Sequence, residues 1–190
     1  MSSNPWPKQL SDPDNLPQDR RNLIDPYKYW SEEAVIADLD TRRHQFAVLC
    51  ENLAYDFNIS TVVRNANAFL AAEVWICGRR QWDKRGAVGT HKYQHMRFSP
   101  DAREVVEEHR ERGYEIIAVD QTKSALNLHG YNWPEKSLMV FGQEQIGISP
   151  WLLQAADQVV FIPQWGSTRS INVGVASGLA MNSWAMQHAS

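Results

Sequence analysis

Arg64 lies in the stretch "DFNISTVVRNANAF", shortly after Asn58. Ile59, Val62, Val63, Ala66 and Leu70 recur there at helical spacing, which makes one helix face apolar. Counting about 100° per residue from Ile59 turns Arg64 about 140° round, away from the core. A lone arginine so placed is explained by a surface ion pair worth less than ~1 kcal/mol. Two later stretches also carry polar groups beside glycines. In "LMVFGQEQIGIS" four apolar residues run into Gly142, with Glu144 and Gly147 close behind. A buried strand opening on a glycine-bearing turn is the shape of a ligand mouth in an α/β protein. The Glu144 carboxylate could equally accept hydrogen bonds from amides of its own turn. In "FIPQWGSTRSINVGVASG", Pro163 ends a strand, Gly166 permits a sharp turn, and Ser170 or Asn172 can cap a helix. Capping explains one of those two polar residues, not both with Arg169 beside them.

Several chemistries are excluded by what is missing. There is no G-x-G-x-x-G dinucleotide fingerprint and no lysine-bearing phosphate loop. No zinc-ligand spacing occurs, so no metal is expected. The two cysteines, Cys50 and Cys77, sit in apolar strand-like runs and read as packed thiols in a reducing cytoplasm. No apolar run approaches the ~20 residues of a membrane span, and the N-terminus does not read as a signal peptide.

The elements that must position these groups alternate. Residues 1–28 are proline-rich and poor in apolar residues, and are expected to form an extended arm. Residues 29–190 are expected to form a single domain. It begins with a helix capped by Ser31, with Glu32 and Glu33 at its positive end. Strands are predicted over 46–50, 73–78, 114–120, 138–142 and 158–163, separated by helices. One helix has Asn58 as N-cap, one opens at Ser99-Pro100 and closes at Gly113, one opens at Ser149-Pro150, and the last runs to the C-terminus. Strands apolar throughout imply an α/β fold, a mostly parallel sheet flanked by helices. Gly174, Ser177 and Gly178 give the last helix a face of small residues that permits close approach of another helix.

The 190 residues carry a formal net charge of −3, which counts mildly against a nucleic-acid binder. The total hides a cluster. From Cys77 to Arg97 there are six Lys or Arg, one Asp and two His. Such a stretch is either a solvated loop or a phosphate-binding surface.

Together, and in this order, Asn58-x5-Arg64, Gly142-x-Glu144-x2-Gly147 and Ile162-Pro163-x2-Gly166-x3-Ser170-Ile171-Asn172-Val173 resemble a known set. They are similar to the three motifs of the SpoU (TrmH-like) branch of the SPOUT RNA methyltransferases, over about residues 46–188. Departures are small: Phe57 where proline is frequent, Ile171 for the commoner leucine, and Gln164 where methionine is frequent. The resemblance implies a C-terminal trefoil knot, a homodimer with its pocket beside the interface, and S-adenosyl-L-methionine as cofactor. It implies methyl transfer to a ribose 2′-hydroxyl of tRNA or rRNA, with no metal. Arg64 would be the central catalytic group, as base or as clamp for phosphate and forming alkoxide, with Asn58, Glu144, Ser170 and Asn172 orienting. Phe141, Gly142, Gly147, Ile162, Gly166 and Ile171 would hold the cofactor. Under this reading Arg79, Arg80, Lys84, Arg85 and Lys92 become RNA contacts, and Trp82 and His91 could stack on bases. Two other classes compete: a catalytically silent RNA-binding relative, and a methyltransferase acting on a small molecule.

Overall fold

The computed structural model describes residues 19–51, 56–143 and 147–189. Most of the expected N-terminal arm, and Glu144, lie outside them. Seven strands form one sheet: β1 (Phe46–Glu51), β2 (Val74–Cys77), β3 (Met96–Ser99), β4 (Glu115–Val119), β5 (Leu126–Asn127), β6 (Ser137–Phe141) and β7 (Gln158–Phe161). Their order is β3-β2-β1-β6-β4-β7-β5, and every pairing is parallel. The helices are α1 (Glu32–Asp40), α2 (Asp56–Ala68), α3 (Ala102–Glu111), α4 (Pro150–Ala155) and α5 (Val173–His188). The five predicted strands are present, and β3 and β5 are additional.

Both faces of the sheet are covered, which is why its central strands read as unbroken apolar runs. Phe46, Val48 and Cys50 of β1, with Met139 and Phe141 of β6, point into one core. Ile59, Val62, Val63 and Ala66 of α2 and Ala180, Met181 and Trp184 of α5 close that side. The alternate residues Ala47, Leu49, Leu138 and Val140 face the second core, with Val105 and Val106 of α3 and Leu152 of α4. Cys50 and Cys77 are free and buried, and burial pushes the Cys77 thiol up to about 12. No helix among the described residues is long and apolar enough to cross a membrane.

A third, smaller cluster joins Tyr27 to Val35 and Leu39 of α1 and to Tyr93. The Asp19 carboxylate accepts from the Tyr29 backbone amide at 2.8 Å, tying the stretch before α1 to this unit. α3 begins after Asp101, whose side chain accepts from the Arg103 amide at 2.9 Å. Ser99 therefore ends β3 and does not cap the helix.

Glu73, just before β2, holds the start of that strand. Its side chain is 8% exposed, with Arg112 Nη1 at 2.6 Å and His109 Nε2 at 3.4 Å. Burial alone would raise the carboxyl pKa, but His109 and Arg112 override it and hold it down at about 2, against an ordinary 4.5. A depressed carboxylate stabilises the fold above its unfolded pKa and loses that contribution as pH falls through its folded one. Glu73→Gln should therefore cost about 3 kcal/mol at neutral pH. Urea titrations between pH 7 and pH 2 should show the deficit shrinking below about pH 4.5; a constant deficit would contradict the assignment.

Candidate active site

The sheet reverses its winding around β1. The chain runs outward through β2 and β3, then returns to lay β4 and β6 on the other side. Ligands of open α/β sheets bind beyond the strand C-termini at such a switch. Two of the three motifs meet there.

The first contact joins α2 to the start of α5. Asn172 Nδ2 donates to Asn58 Oδ1 at 2.8 Å, across 114 residues of sequence. Asn172 Oδ1 meanwhile accepts from the amides of Gly174 and Val175, so Asn172 is the N-cap and Ser170 is an exposed turn residue. Asn58 is not the helix cap expected for it. α2 already begins at Asp56, and Asn58 is 7% exposed, spent on α5.

One helical face further along, Asn65 Nδ2 donates to the Gly174 carbonyl at 2.7 Å and to Ser177 Oγ at 3.0 Å. A Cβ on Gly174 would stand 2.6 Å from Thr61 Cγ2, and one on Gly178 would stand 3.2 Å from Asn65 Nδ2. The small face of α5 is thus occupied by α2 of the same chain and is not left open for a partner subunit. Asn65, Glu51 and Asp120 escaped the sequence reading; Asn65 had only its seven-residue spacing from Asn58 as a signal.

Arg64 is exposed and makes no hydrogen bond or ion pair among the described residues. Four of its neighbours on α2 are committed to the core and two, Asn58 and Asn65, to α5. Among the described residues nothing holds its guanidinium, which suits it to an anionic ligand.

The second contact is the turn after β6. Gln143 and Gly147 exchange backbone hydrogen bonds of 3.0 and 2.8 Å. Gly147 has φ +71°, a left-handed conformation that suits glycine. A Cβ at Gly142 would collide with the Gly147 carbonyl group and the Ile148 amide. Two carboxylates hold the exit of this turn from neighbouring strand ends. Asp120 accepts from the Ile148 amide at 3.1 Å, and Glu51 from the Ser149 amide at 2.7 Å. Phe141 is fully buried in the first core, so its side chain packs and only its backbone can reach a ligand.

The turn after β7 lies beside the turn after β4, with Gln121 Nε2 3.4 Å from the Ile162 carbonyl. Ile162 and Ile171 are half-buried, Gly166 has open space where a Cβ would stand, and Trp165 is 86% exposed. Gln164 Oε1 and Thr122 Oγ1 are buried and have no hydrogen-bond partner among the described residues. Leaving such atoms unpaired costs about 1–3 kcal/mol each, so these turns are suited to a ligand offering donors. A nucleoside-bearing molecule such as S-adenosyl-L-methionine offers hydroxyl and amino hydrogens, and half-buried isoleucines suit its base. Among the described residues there is no group of three His, Cys, Asp or Glu able to hold a metal ion.

The basic stretch is divided. Arg85 is paired with Asp83 at 2.6 Å and Lys92 with Glu32 at 2.5 Å, while Arg79, Arg80 and Lys84 are exposed with no ion pair among the described residues. Trp82 packs edge-on against His91, their ring centroids 5.8 Å apart. The Ser60 hydroxyl donates to the Asp83 carbonyl, fastening this loop to the helix that carries Arg64.

Glycine turns at the C-terminal edge of a parallel sheet, with two buried acceptors left unpaired among the described residues, define an α/β protein suited to a nucleoside-bearing ligand. The chain belongs to the SpoU rRNA Methylase family, whose model matches residues 45–182. It is 26% identical over 147 residues to the tRNA (guanosine(18)-2′-O)-methyltransferase of Aquifex aeolicus, covering 75% of this chain and 70% of the relative. The enzyme of that name from Escherichia coli K12 is 26% identical over 162 residues, covering 83% and 69%. The crystal structure of the A. aeolicus TrmH/SpoU tRNA modifying enzyme superposes with a TM-score of 0.74 at 24% identity, covering 82% of this chain and 81% of that one. The SpoU methyltransferase AviRb from Streptomyces viridochromogenes, in complex with AdoMet, gives 0.70 at 24% identity, covering 78% and 60%.

Proposed function

We propose that the protein is an S-adenosyl-L-methionine-dependent methyltransferase that modifies a ribose 2′-hydroxyl in RNA, with tRNA as the favoured class. The observation that carries this reading is the Asn58–Asn172 hydrogen bond, which joins the helix of the arginine to the last motif. The A. aeolicus and E. coli relatives, named as tRNA methyltransferases, support the substrate class. When bound, the cofactor supplies a methyl group activated on a sulfonium. Phe141 and Gly142 through their backbone, with Gly147, Ile162, Gly166 and Ile171, would form its walls, and Gln164 and Thr122 would accept its hydrogen bonds.

Arg64 stays protonated at ordinary pH and is a poor base. Its role is to hold the phosphate beside the target ribose and to stabilise the forming alkoxide, with phosphate or solvent taking the proton. Asn58 and Asn172 set the angle of α2 against α5, and hence of Arg64. Ser170, exposed beside them, and Glu144 would orient ribose and cofactor. Arg79, Arg80 and Lys84 are the cations available to RNA. Residues 29–190 form one domain in this reading, and Asp19 and Tyr27 of the preceding stretch, expected in an extended arm, pack onto it instead. The reduced, buried cysteines suit the cytoplasm.

The working form would be a homodimer, supported by an unpartnered stripe on α5. Val175, Leu179 and Met186 are exposed at helical spacing on one face. This face is separate from the small-residue face taken by α2. Leu179→Glu combined with Met186→Glu should convert a dimer to a monomer in sedimentation velocity and lower transfer activity. A wild type that sediments as a monomer would remove this part of the reading.

The function itself is tested by nucleoside mass spectrometry of tRNA and rRNA from cells with and without the gene. A single 2′-O-methylnucleoside lost on deletion is expected. An unchanged nucleoside profile, with label transferred instead to small molecules in extracts, would replace RNA by a small-molecule substrate.

A further inference from the structure

Two clefts flank β3, the open edge of the sheet, and they differ in charge. One, of about 460 Å³, has Arg97 and Arg112 in its wall but also Glu73 and Glu108. Its cations are balanced within the chain. The other, of about 520 Å³, is lined by Arg80, Lys84 and Arg97 with Trp75, Trp82 and Phe98, and by no carboxylate. Arg80 stands 5.8 Å over the ring of Phe98, which is 36% exposed. An aromatic ring backed by a guanidinium, with further cations alongside, matches a nucleobase with its flanking phosphates.

We infer that this groove along β3 binds single-stranded RNA, one base stacking against Phe98 while Arg80 and Lys84 neutralise neighbouring phosphates and Arg97, paired with Glu73 at 3.6 Å, lines the rim as a partly balanced cation. The inference rests on RNA being the substrate and adds to it a docking site apart from the glycine turns. An acidic peptide could meet the same cations, but it would gain nothing from the stacked Phe98–Arg80 pair. Sequence alone gave Arg80 and Lys84 as RNA contacts and left out Arg97 and Phe98. Strand pairing sets Phe98 opposite Ile76 and Arg97 opposite Trp75, which brings the two halves of the groove together. The hydrogen bond from Ser60 to Asp83 fixes the Arg80–Lys84 loop to α2, the helix that also carries Arg64.

Fluorescence anisotropy of the full chain with a fluorescein-labelled single-stranded oligoribonucleotide, over a range of salt concentrations, tests the groove without relying on catalysis. The triple variant Arg80→Ala, Lys84→Ala, Arg97→Ala should weaken binding at least roughly tenfold and flatten the log–log salt slope by at least about 1.4, near 0.7 for each of the unpaired cations Arg80 and Lys84. Phe98→Ala should weaken binding by roughly tenfold with the slope kept, and Phe98→Tyr should restore it. Wild-type affinity and slope in the triple variant would overturn the inference. So would equal competition by polyglutamate, or a wild type that binds no RNA. Labelled methyl transfer to bulk tRNA, run in parallel, separates the two ideas. Transfer with an unchanged KM for RNA in the triple variant sinks the groove and spares the enzyme. Loss of RNA binding in the variants of a protein that methylates no RNA does the reverse.

Discussion

Arg64→Ala should lower kcat for methyl transfer to RNA by at least roughly a hundredfold, while affinity for S-adenosyl-L-methionine stays within a few-fold of wild type. Stability should hardly change. The side chain is exposed and has no hydrogen bond or ion pair among the described residues, and surface substitutions of that kind stay within about 0.5 kcal/mol. Single-turnover kinetics, calorimetric titration of the cofactor and a urea curve on the same preparation check all three statements. Loss of cofactor binding in step with activity would make Arg64 structural. Arg64→Lys divides the chemical alternatives further. Lysine keeps a positive charge but has no planar fork for two phosphate oxygens. A clamp therefore predicts severe loss in this variant too, and substantial residual activity would count against it.

Gly142→Ala should be the most damaging change at the glycine turns. The added Cβ would meet backbone, the Gly147 carbonyl group and the Ile148 amide, and backbone cannot swing aside like a side chain. Relief requires opening the Gln143–Gly147 pairing, and with it the amides held by Asp120 and Glu51. Forced overpacking of this kind costs about 3 kcal/mol. Calorimetry should show cofactor affinity reduced by far more than that of Arg64→Ala, together with a lower urea midpoint. Gly166→Ala is the internal comparison. Among the described residues nothing stands within 4 Å of a Cβ there, so stability should be unchanged, and any loss of cofactor affinity would report direct contact with the ligand. Normal cofactor binding in Gly142→Ala would exclude this turn from the pocket.

Each of these outcomes depends on contacts of different sequence range, and that range divides what could be read early. The central strands were legible because both their faces are buried, so composition alone marks them. The apolar face of α2 was legible from its helical spacing, which also fixes the direction of Arg64. Ser31 and Ser149 were legible as caps, and Asn172 as one of two candidates with Ser170, because a cap bonds within its own first turn. β3 was not. Its burial runs from half-buried Met96 through exposed Arg97 and Phe98 to buried Ser99, and an edge strand with a wet side carries no apolar run.

The sequence by itself thus determined five of the seven strands, the helices between them and their order, since these follow from local propensity and periodicity. Tertiary structure alone decided that β6 lies between β1 and β4 and that Asn58 joins Asn172. It also decided that α2 takes the small face of α5, and that β3 turns a basic loop into a groove. Those are pairings between distant segments. Each depends on which surfaces remain unburied once the others have packed, and no local pattern carries that information.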